Sequence, residues 1–431
     1  MFIRRLCGLL LTLLVLVSGA AAADDPVLQE EIYGPEALLY CVESGQTLYE
    51  KNADTPVPPA SVTKLMTALV VLEHEPDLSR TTTVSQTAVD IERDSTHIAL
   101  VPGEQVTLQD MMYATLMQSA NDAANVLAEA VGGTQADFAA MMNERAAQLG
   151  CTGSHFENAH GLDADGHLVT ARDMARITAA LLDDPRFVQI AGALTYTMPA
   201  NNKQSEARTF YTKQRMLRAD SAFYNPYAIA GKNGYTTKAQ HTQCMVARKD
   251  GLTWIAVSLG SSGNMYYPWR DMRTLFAYAL NGFQAVTLSP EQVAALAEQA
   301  GAAQPDRSAC PSVTLALPLD ASMDDLRLSQ TADAAGLRTL ELTRNGQIQP
   351  WCVLPQPLAT DLAPADQPTN TDPVAQPDNP AQVVPWFLAG LGAVAVFAVW
   401  SALAMRRARK IRRQRDRRRR RRAARRRDDM P

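Results

Sequence analysis

Apolar and polar positions change period several times along the chain, and the changes divide it into elements. Ala37 to Glu43 and Thr47 to Tyr49 have strand character and meet at a turn on Gly45. Pro58 and Pro59 then break the chain, and helical spacing runs from Ser61 to about His74. Thr107 with Asp110 and Thr170 with Asp173 have the spacing of capping pairs. They open helices predicted to reach Gln118 and Leu182. Asn121 to Ala130 forms a further short helix that stops at Gly132-Gly133. Thr242 to Ala247 and Thr253 to Leu259 are strands joined through Asp250-Gly251, a hairpin signal. Asp271 to Leu280 is a helix ending at Asn281-Gly282. Strands at both ends with helices between predict an α+β domain over residues 24–283, its sheet completed by distant parts of the chain.

Beyond that domain, Ser289-Pro290 with Gln292 starts a helix to about Ala300. Short strands follow at Val313 to Leu317, Leu326 to Leu328 and Leu337 to Leu342, with Asn345-Gly346 as a hairpin turn. Residues 284–354 are therefore expected to form a small β-rich domain. Residues 355–385 are rich in Pro, Asp, Ala and Gln and cannot bury a core, which makes them an extended linker.

The two ends carry targeting signals. Arg4 and Arg5, the apolar run Leu6 to Val17 and the small residues Ser18 to Ala23 form a secretory signal over residues 1–23. Trp386 to Met405 is an uncharged, mostly apolar stretch of 20 residues. As a helix it would span roughly 30 Å, the thickness of a hydrocarbon core. Charge then changes the picture. The tail, residues 406–431, holds 16 of the chain's 41 basic residues and 3 of its 45 acidic ones. The rest carries 25 basic against 42 acidic residues. The −4 net charge is thus an average over an acidic body and a basic tail. By the positive-inside rule the tail is cytoplasmic, and everything before Trp386 lies outside. The expected location is the cell membrane, crossed once, with the catalytic domain extracytoplasmic. A basic run can also bind nucleic acid, but its place beside the membrane helix favours topology and lipid contact, so no nucleic-acid partner is expected.

Of the six cysteines, Cys7 leaves with the signal, and the remainder fit no zinc spacing. Cys310 and Cys352 bracket the small domain; they could pair in an oxidising compartment or stay independent.

Three short groups carry candidate chemistry. Ser61 and Lys64 are three apart near a helix N-terminus, so a buried lysine would stand beside a serine hydroxyl and could act as its base. Ser119 and Asn121 flank a break between two helices. The serine could relay a proton, and the asparagine could hold a substrate amide through donor and acceptor. Lys232-Asn233-Gly234, followed by Tyr235, precedes a predicted strand. It offers positive charge for a carboxylate and a glycine for close approach. Each spacing alone is common, as a helix cap, a helix break or a basic turn. Their order is not.

In that order the three groups resemble the Ser-x-x-Lys, Ser-x-Asn and Lys-Thr-Gly motifs of the penicillin-recognising serine enzymes. Pro58 to Leu69, Gln118 to Ala124, Phe156 to Leu162 and Thr170 to Ala175 resemble segments of D-alanyl-D-alanine carboxypeptidases. The resemblance covers about Leu38 to Gly282. It implies an antiparallel sheet flanked by helices with a helical subdomain, the penicillin-binding/β-lactamase-like fold, and neither metal nor cofactor. It also implies roles. Ser61 attacks the carbonyl between the two D-alanines of a peptidoglycan stem peptide, and Lys64 takes its proton. Ser119 relays a proton to the leaving D-alanine with Lys232 assisting, and the N–H groups of Ser61 and Tyr235 form the oxyanion hole. Asn121, Lys232, Asn233, Gly234 and Tyr235 bind substrate, and β-lactam antibiotics are inhibitors.

The resemblance has departures. Asn233 stands where the family usually has Thr. Relatives often place a basic residue shortly before the third motif, and Lys213, Arg215 and Arg218 lie in that stretch without a choice among them. Many relatives lie on the membrane through an amphipathic helix, whereas Trp386 to Met405 should span it. An endopeptidase acting on cross-links would use the same residues. A non-catalytic wall-binding scaffold would not need Ser61, Lys64, Ser119, Asn121 and Lys232 intact. A β-lactamase would need a placed carboxylate for deacylation, and no segment supplies one clearly.

Overall fold

The computed structural model describes residues 28–92, 94–299, 312–321, 339–344 and 347–353. The signal at 1–23, the linker at 355–385, the apolar stretch at 386–405, the basic tail, Cys310 and the strand at Leu326 to Leu328 lie outside the described residues, as does the side chain of Cys352. No described helix is long and apolar enough to cross a membrane.

A five-stranded antiparallel sheet organises the body. Its strands are β1 (Glu36–Cys41), β2 (Thr47–Lys51), β7 (Ala228–Thr236), β8 (Gln240–Lys249) and β9 (Leu252–Ser261), in the order β2-β1-β9-β8-β7. The first described strand thus pairs with the last strand of this sheet, Leu38 opposite Val257. Both faces are covered, as the alternation of side chains shows. Ala37, Leu39 and Cys41 join Trp254 and Ala256 in one core with Met272, Leu275 and Phe276 of α7 (Tyr267–Gly282). Leu38, Ile255, Val257 and Leu259 point the other way, into the larger core of the helical part.

That helical part is built around α1 (Thr63–His74), which is buried at every position from Thr63 to Leu72. A helix buried on all sides must be wrapped. Around it lie α2 (Leu108–Tyr113), α3 (Asn121–Gly132), α4 (Gln135–Gln148), α5 (Ala171–Leu181) and α6 (Pro185–Ala191). Thr107 caps α2 through a capping box with Asp110, and Thr170 accepts from Asp173 N at the start of α5, as their spacing predicted. Hairpins β3 (Thr81–Thr83) with β4 (Gln105–Thr107) and β5 (Thr195–Met198) with β6 (Arg208–Tyr211) complete this part. Farther on, β10 (Phe283–Leu288) pairs with β11 (Val313–Pro318), and α8 (Pro290–Gln299) lies between them in sequence. Ala316 shares the α7 core, and its N–H donates to Gln46 Oε1 at 2.9 Å. β12 (Thr339–Arg344) pairs with β13 (Gln347–Val353).

The structure corrects two sequence expectations that matter for chemistry. Ser61 is not in the α-helix; it sits in a 3-10 turn, Ala60–Val62, and the α-helix begins at Thr63. Lys232-Asn233-Gly234 does not precede a strand. It lies within β7, paired to β8 from Ala228 to Thr236.

Candidate active site

The turn that carries Ser61 is held by backbone and hydroxyl contacts. Ala60 takes the left-handed conformation, φ +50°, which costs a non-glycine residue energy. Thr63 Oγ1 donates to Ala60 O at 2.8 Å, and Thr242 Oγ1 on β8 donates to Pro59 O at 2.9 Å. Behind Thr63 stands buried His167, 2.9 Å away through Nε2. His167 Nδ1 accepts from Glu157 N–H at 3.0 Å, so Nε2 carries the proton and donates to Thr63. Burial, and after it the neighbouring His155 and Lys64, lowers the His167 pKa to about 4, which keeps this tautomer neutral. Gly161 closes the other side, where an added Cβ would fall on Ala60 O.

Lys64 is the second residue of α1 and is fully buried. Its Nζ is 3.1 Å from Ser61 Oγ, 2.7 Å from Asn121 Oδ1 and 2.6 Å from His160 O. Burial, then the nearby charges of Lys232 and Lys213, hold its pKa well below the ordinary lysine value. The neutral form fits this arrangement. Asn121 Oδ1 and His160 O can only accept, so they take the two N–H groups of an amine. The lone pair is left for the Ser61 hydroxyl. The His160 carbonyl is aimed by Asn158, whose Oδ1 accepts from the N–H groups of His160 and Gly161 and whose Nδ2 donates to Leu162 O.

Ser119 follows a π-helical turn, Ala114–Gln118, that ends α2. It adopts the left-handed conformation, φ 63°, just before α3 begins at Asn121. Such turns recur at functional sites because they re-aim one residue without breaking the helix axis. Lys232 is buried, donates to Asn233 O at 2.5 Å, and has its pKa lowered to about 7 by burial and by Lys213. Gly234 is where β7 meets the nucleophile turn. A Cβ there would lie 2.5 Å from Ser61 N and 2.7 Å from Thr242 Oγ1. Ser61, Ser119, Asn121, Asn233, Gly234 and Tyr235 all line one cavity of about 940 Å³, and buried Lys64 and Lys232 lie behind it, bonded to Ser61 and Asn233. All eight sequence candidates therefore converge.

Residues 21–263 match the D-alanyl-D-alanine carboxypeptidase family, more than half of the chain. The chain belongs to that family. Among its relatives, the D-alanyl-D-alanine carboxypeptidase DacF of Bacillus subtilis (strain 168) is 30% identical over 268 residues, covering 60% of this chain and 67% of DacF. DacC of Escherichia coli (strain K12) is 31% identical over 277 residues, covering 62% of this chain and 66% of DacC. The match thus spans about two thirds of either relative. A solved D-alanyl-D-alanine carboxypeptidase from Mycobacterium tuberculosis H37Rv superposes with a TM-score of 0.54 at 28% identity, covering 60% of this chain and 95% of that one.

The structure also separates the three basic candidates of this carboxypeptidase. Arg218 is spent on Asp220, and Arg215 lies over the Tyr266 ring at 4.9 Å. Lys213 donates to Gln118 O, beside Ser119, and its charge reaches both Lys64 and Lys232. Sequence reasoning assigned no role to His160, Thr63, His167, Gln214 or Thr242. The segment Phe156 to Leu162 had carried the family resemblance, but a backbone carbonyl leaves no side-chain signature.

Proposed function

We propose that Ser61 forms an acyl-enzyme with peptidoglycan stem peptides and releases their terminal D-alanine. The chain is a serine D-Ala-D-Ala carboxypeptidase. The observation that carries the residue roles is the Lys64 amine, held by two acceptors so that its lone pair is left for Ser61. Ser61 Oγ attacks the carbonyl between the two D-alanines as Lys64 takes its proton. The N–H groups of Ser61 and Tyr235 receive the developing oxyanion. The carbon–nitrogen bond breaks as a proton passes through Ser119 to the leaving amine. Water then attacks the ester, Lys64 again acts as base, and Ser61 is freed. Lys232, Lys213 and Asn233 face the anionic end of the substrate. β-Lactams enter the same cavity and acylate the same serine.

The purified chain, incubated with a fluorescent penicillin and with a D-Ala-D-Ala pentapeptide, should label and should release D-alanine. Ser61→Ala should do neither. A wild-type chain that takes no covalent label would sink the mechanism.

The same reading places the body outside a membrane, on a single-pass anchor at Trp386 to Met405 followed by a cytoplasmic basic tail. The sequence supports it through an uncharged apolar stretch between an uncharged-to-acidic linker and the arginine run. Residues 284–354 then stand as a small β-rich domain between body and linker, supported by the pairs β10 with β11 and β12 with β13. Removing residues 386–431 should release the chain from the membrane fraction, and retention there would overturn the anchor.

A further inference from the structure

Asn233 departs from the threonine usual in the third motif, and its surroundings differ from those a hydroxyl would need. A hydroxyl rotates to suit its partner, but an amide has two unlike ends and must be oriented. On β7, Asn233 lies directly opposite Gln243 of β8, so both side chains share one face of the sheet. Between them comes Gln214, from the segment before β7. It is buried and its backbone N–H is tied to Thr212 Oγ1. Gln243 Nε2 donates to Gln214 Oε1 at 3.3 Å, and Gln214 Nε2 donates to Asn233 Oδ1 at 3.0 Å. Three amides are therefore linked in one direction, with Asn233 Nδ2 as the donor end of the row, and Asn233 and Gln243 both line the cavity. The far end has a cost, since Gln243 Oε1 is buried without a hydrogen-bond partner. That orphaned acceptor is the negative tail of the row. Its positive head is the Asn233 amide. Aligned amide dipoles polarise one another and favour an anion at the donor end.

We propose that Gln214, backed by Gln243, is a positioning residue that turns the Asn233 amide donor toward the cavity, where it binds the C-terminal carboxylate of the substrate. The inference rests on the carboxypeptidase reading and adds to it the device that sets the requirement for a free carboxylate. Run in the opposite direction, the row would present Asn233 Oδ1 to the cavity and repel that carboxylate. Gln214 decides the direction because it alone touches both neighbours.

The test measures D-alanine release by the full-length chain as separate kcat and KM values. Gln214→Leu is made in the Asn233 background and in an Asn233→Thr background. With Asn233, Gln214→Leu should raise KM for a D-Ala-D-Ala pentapeptide roughly tenfold or more, the value of one charge-assisted hydrogen bond, with kcat nearly unchanged. In the Asn233→Thr background, where the hydroxyl needs no orientation, the same change should have little effect. An unchanged KM in the first background, or the same rise in both, overturns the proposal. Should Gln214→Leu fail to fold, Gln214→Glu replaces it, since a carboxylate only accepts and would draw the Asn233 N–H groups away from the cavity. It should weaken binding of the D-Ala-D-Ala peptide far more than of the same peptide ending in D-alaninamide. Equal weakening of both overturns the proposal. Failure of the carboxypeptidase reading itself would look different: the unmutated chain would release no D-alanine.

Discussion

Lys64 has given up its water for a hydroxyl, an amide carbonyl and a backbone carbonyl, with two further lysine charges near it. An ammonium in that position is poorly solvated, which holds the Lys64 pKa well below the ordinary lysine value and strains the fold. Catalysis and stability should therefore part on one substitution. Lys64→Met should lower acylation by about 10²–10⁴-fold, the usual contribution of a positioned base. The same variant should melt higher by a few degrees, the effect of gaining about 1 kcal/mol in a domain of this size. Acylation rates and thermal melts on one preparation check both, and a lower melting temperature would contradict the account of Lys64.

At the scale of elements, the site is a seam between β7 and the 3-10 turn, and Gly234 is its tightest point. Gly234→Ala puts a methyl group 2.5 Å from Ser61 N, so the strand and the turn must separate. Acylation should fall about 10²–10³-fold, as for loss of an oxyanion donor, and the melting temperature should drop by several degrees, since forcing packed backbone apart costs about 1–3 kcal/mol. Wild-type acylation in that variant would show that the seam does not shape the oxyanion site. The seam also explains what the sequence made legible. Capped helices and the hairpin at Asp250-Gly251 announced themselves because their signals are local. Strand β7 did not, since Gly231, Asn233 and Gly234 are poor strand formers kept there for close approach and chemistry. Helix α4 was missed for another reason: it buries only Phe138, Ala139, Met142 and Ala146, a narrow stripe on a polar segment. The eight candidate residues were found through their ordered motifs. The Asn233–Gln214–Gln243 row was not, because nothing in one chain says which distant amides will stack end to end.

For the molecule as a whole, the displaced histidines and Lys232 act in one direction, and Glu36, raised by burial, opposes them at acid pH. His160 and His167 are lowered to about 3 and about 4, and Lys232 to about 7. In each case the unfolded chain binds a proton that the folded chain does not. Stability therefore rises with pH through those windows, from about 3 to 6.5 for the histidines and from about 7 to 10.5 for Lys232. The cysteines reverse the sign at high pH. Burial raises Cys41 to about 11 and Cys151 and Cys244 to about 12, so above about pH 9 the unfolded chain loses protons first. The melting temperature should peak on the alkaline side of neutral, between about pH 7.5 and 9, and fall steadily below pH 6. A series of melts across pH 4 to 10 decides it, and a maximum at pH 5 would refute the assignment.

The strand order carries one more consequence, for how the chain is made. β1 and β2 are synthesised at the start, yet β1 acquires its other neighbour only when Leu252–Ser261 exists. A two-stranded ribbon is marginal on its own. At about 5–20 residues per second, the roughly 200 residues between them take on the order of 10–40 s to synthesise. During that interval no five-stranded sheet can close, and the contacts that close it are among the most distant in the sequence. Folding therefore waits on the late strands. A ribosome stalled before residue 252 would hold a chain still pliable enough to be threaded, whereas one stalled beyond Gly282 would hold a body already able to fold.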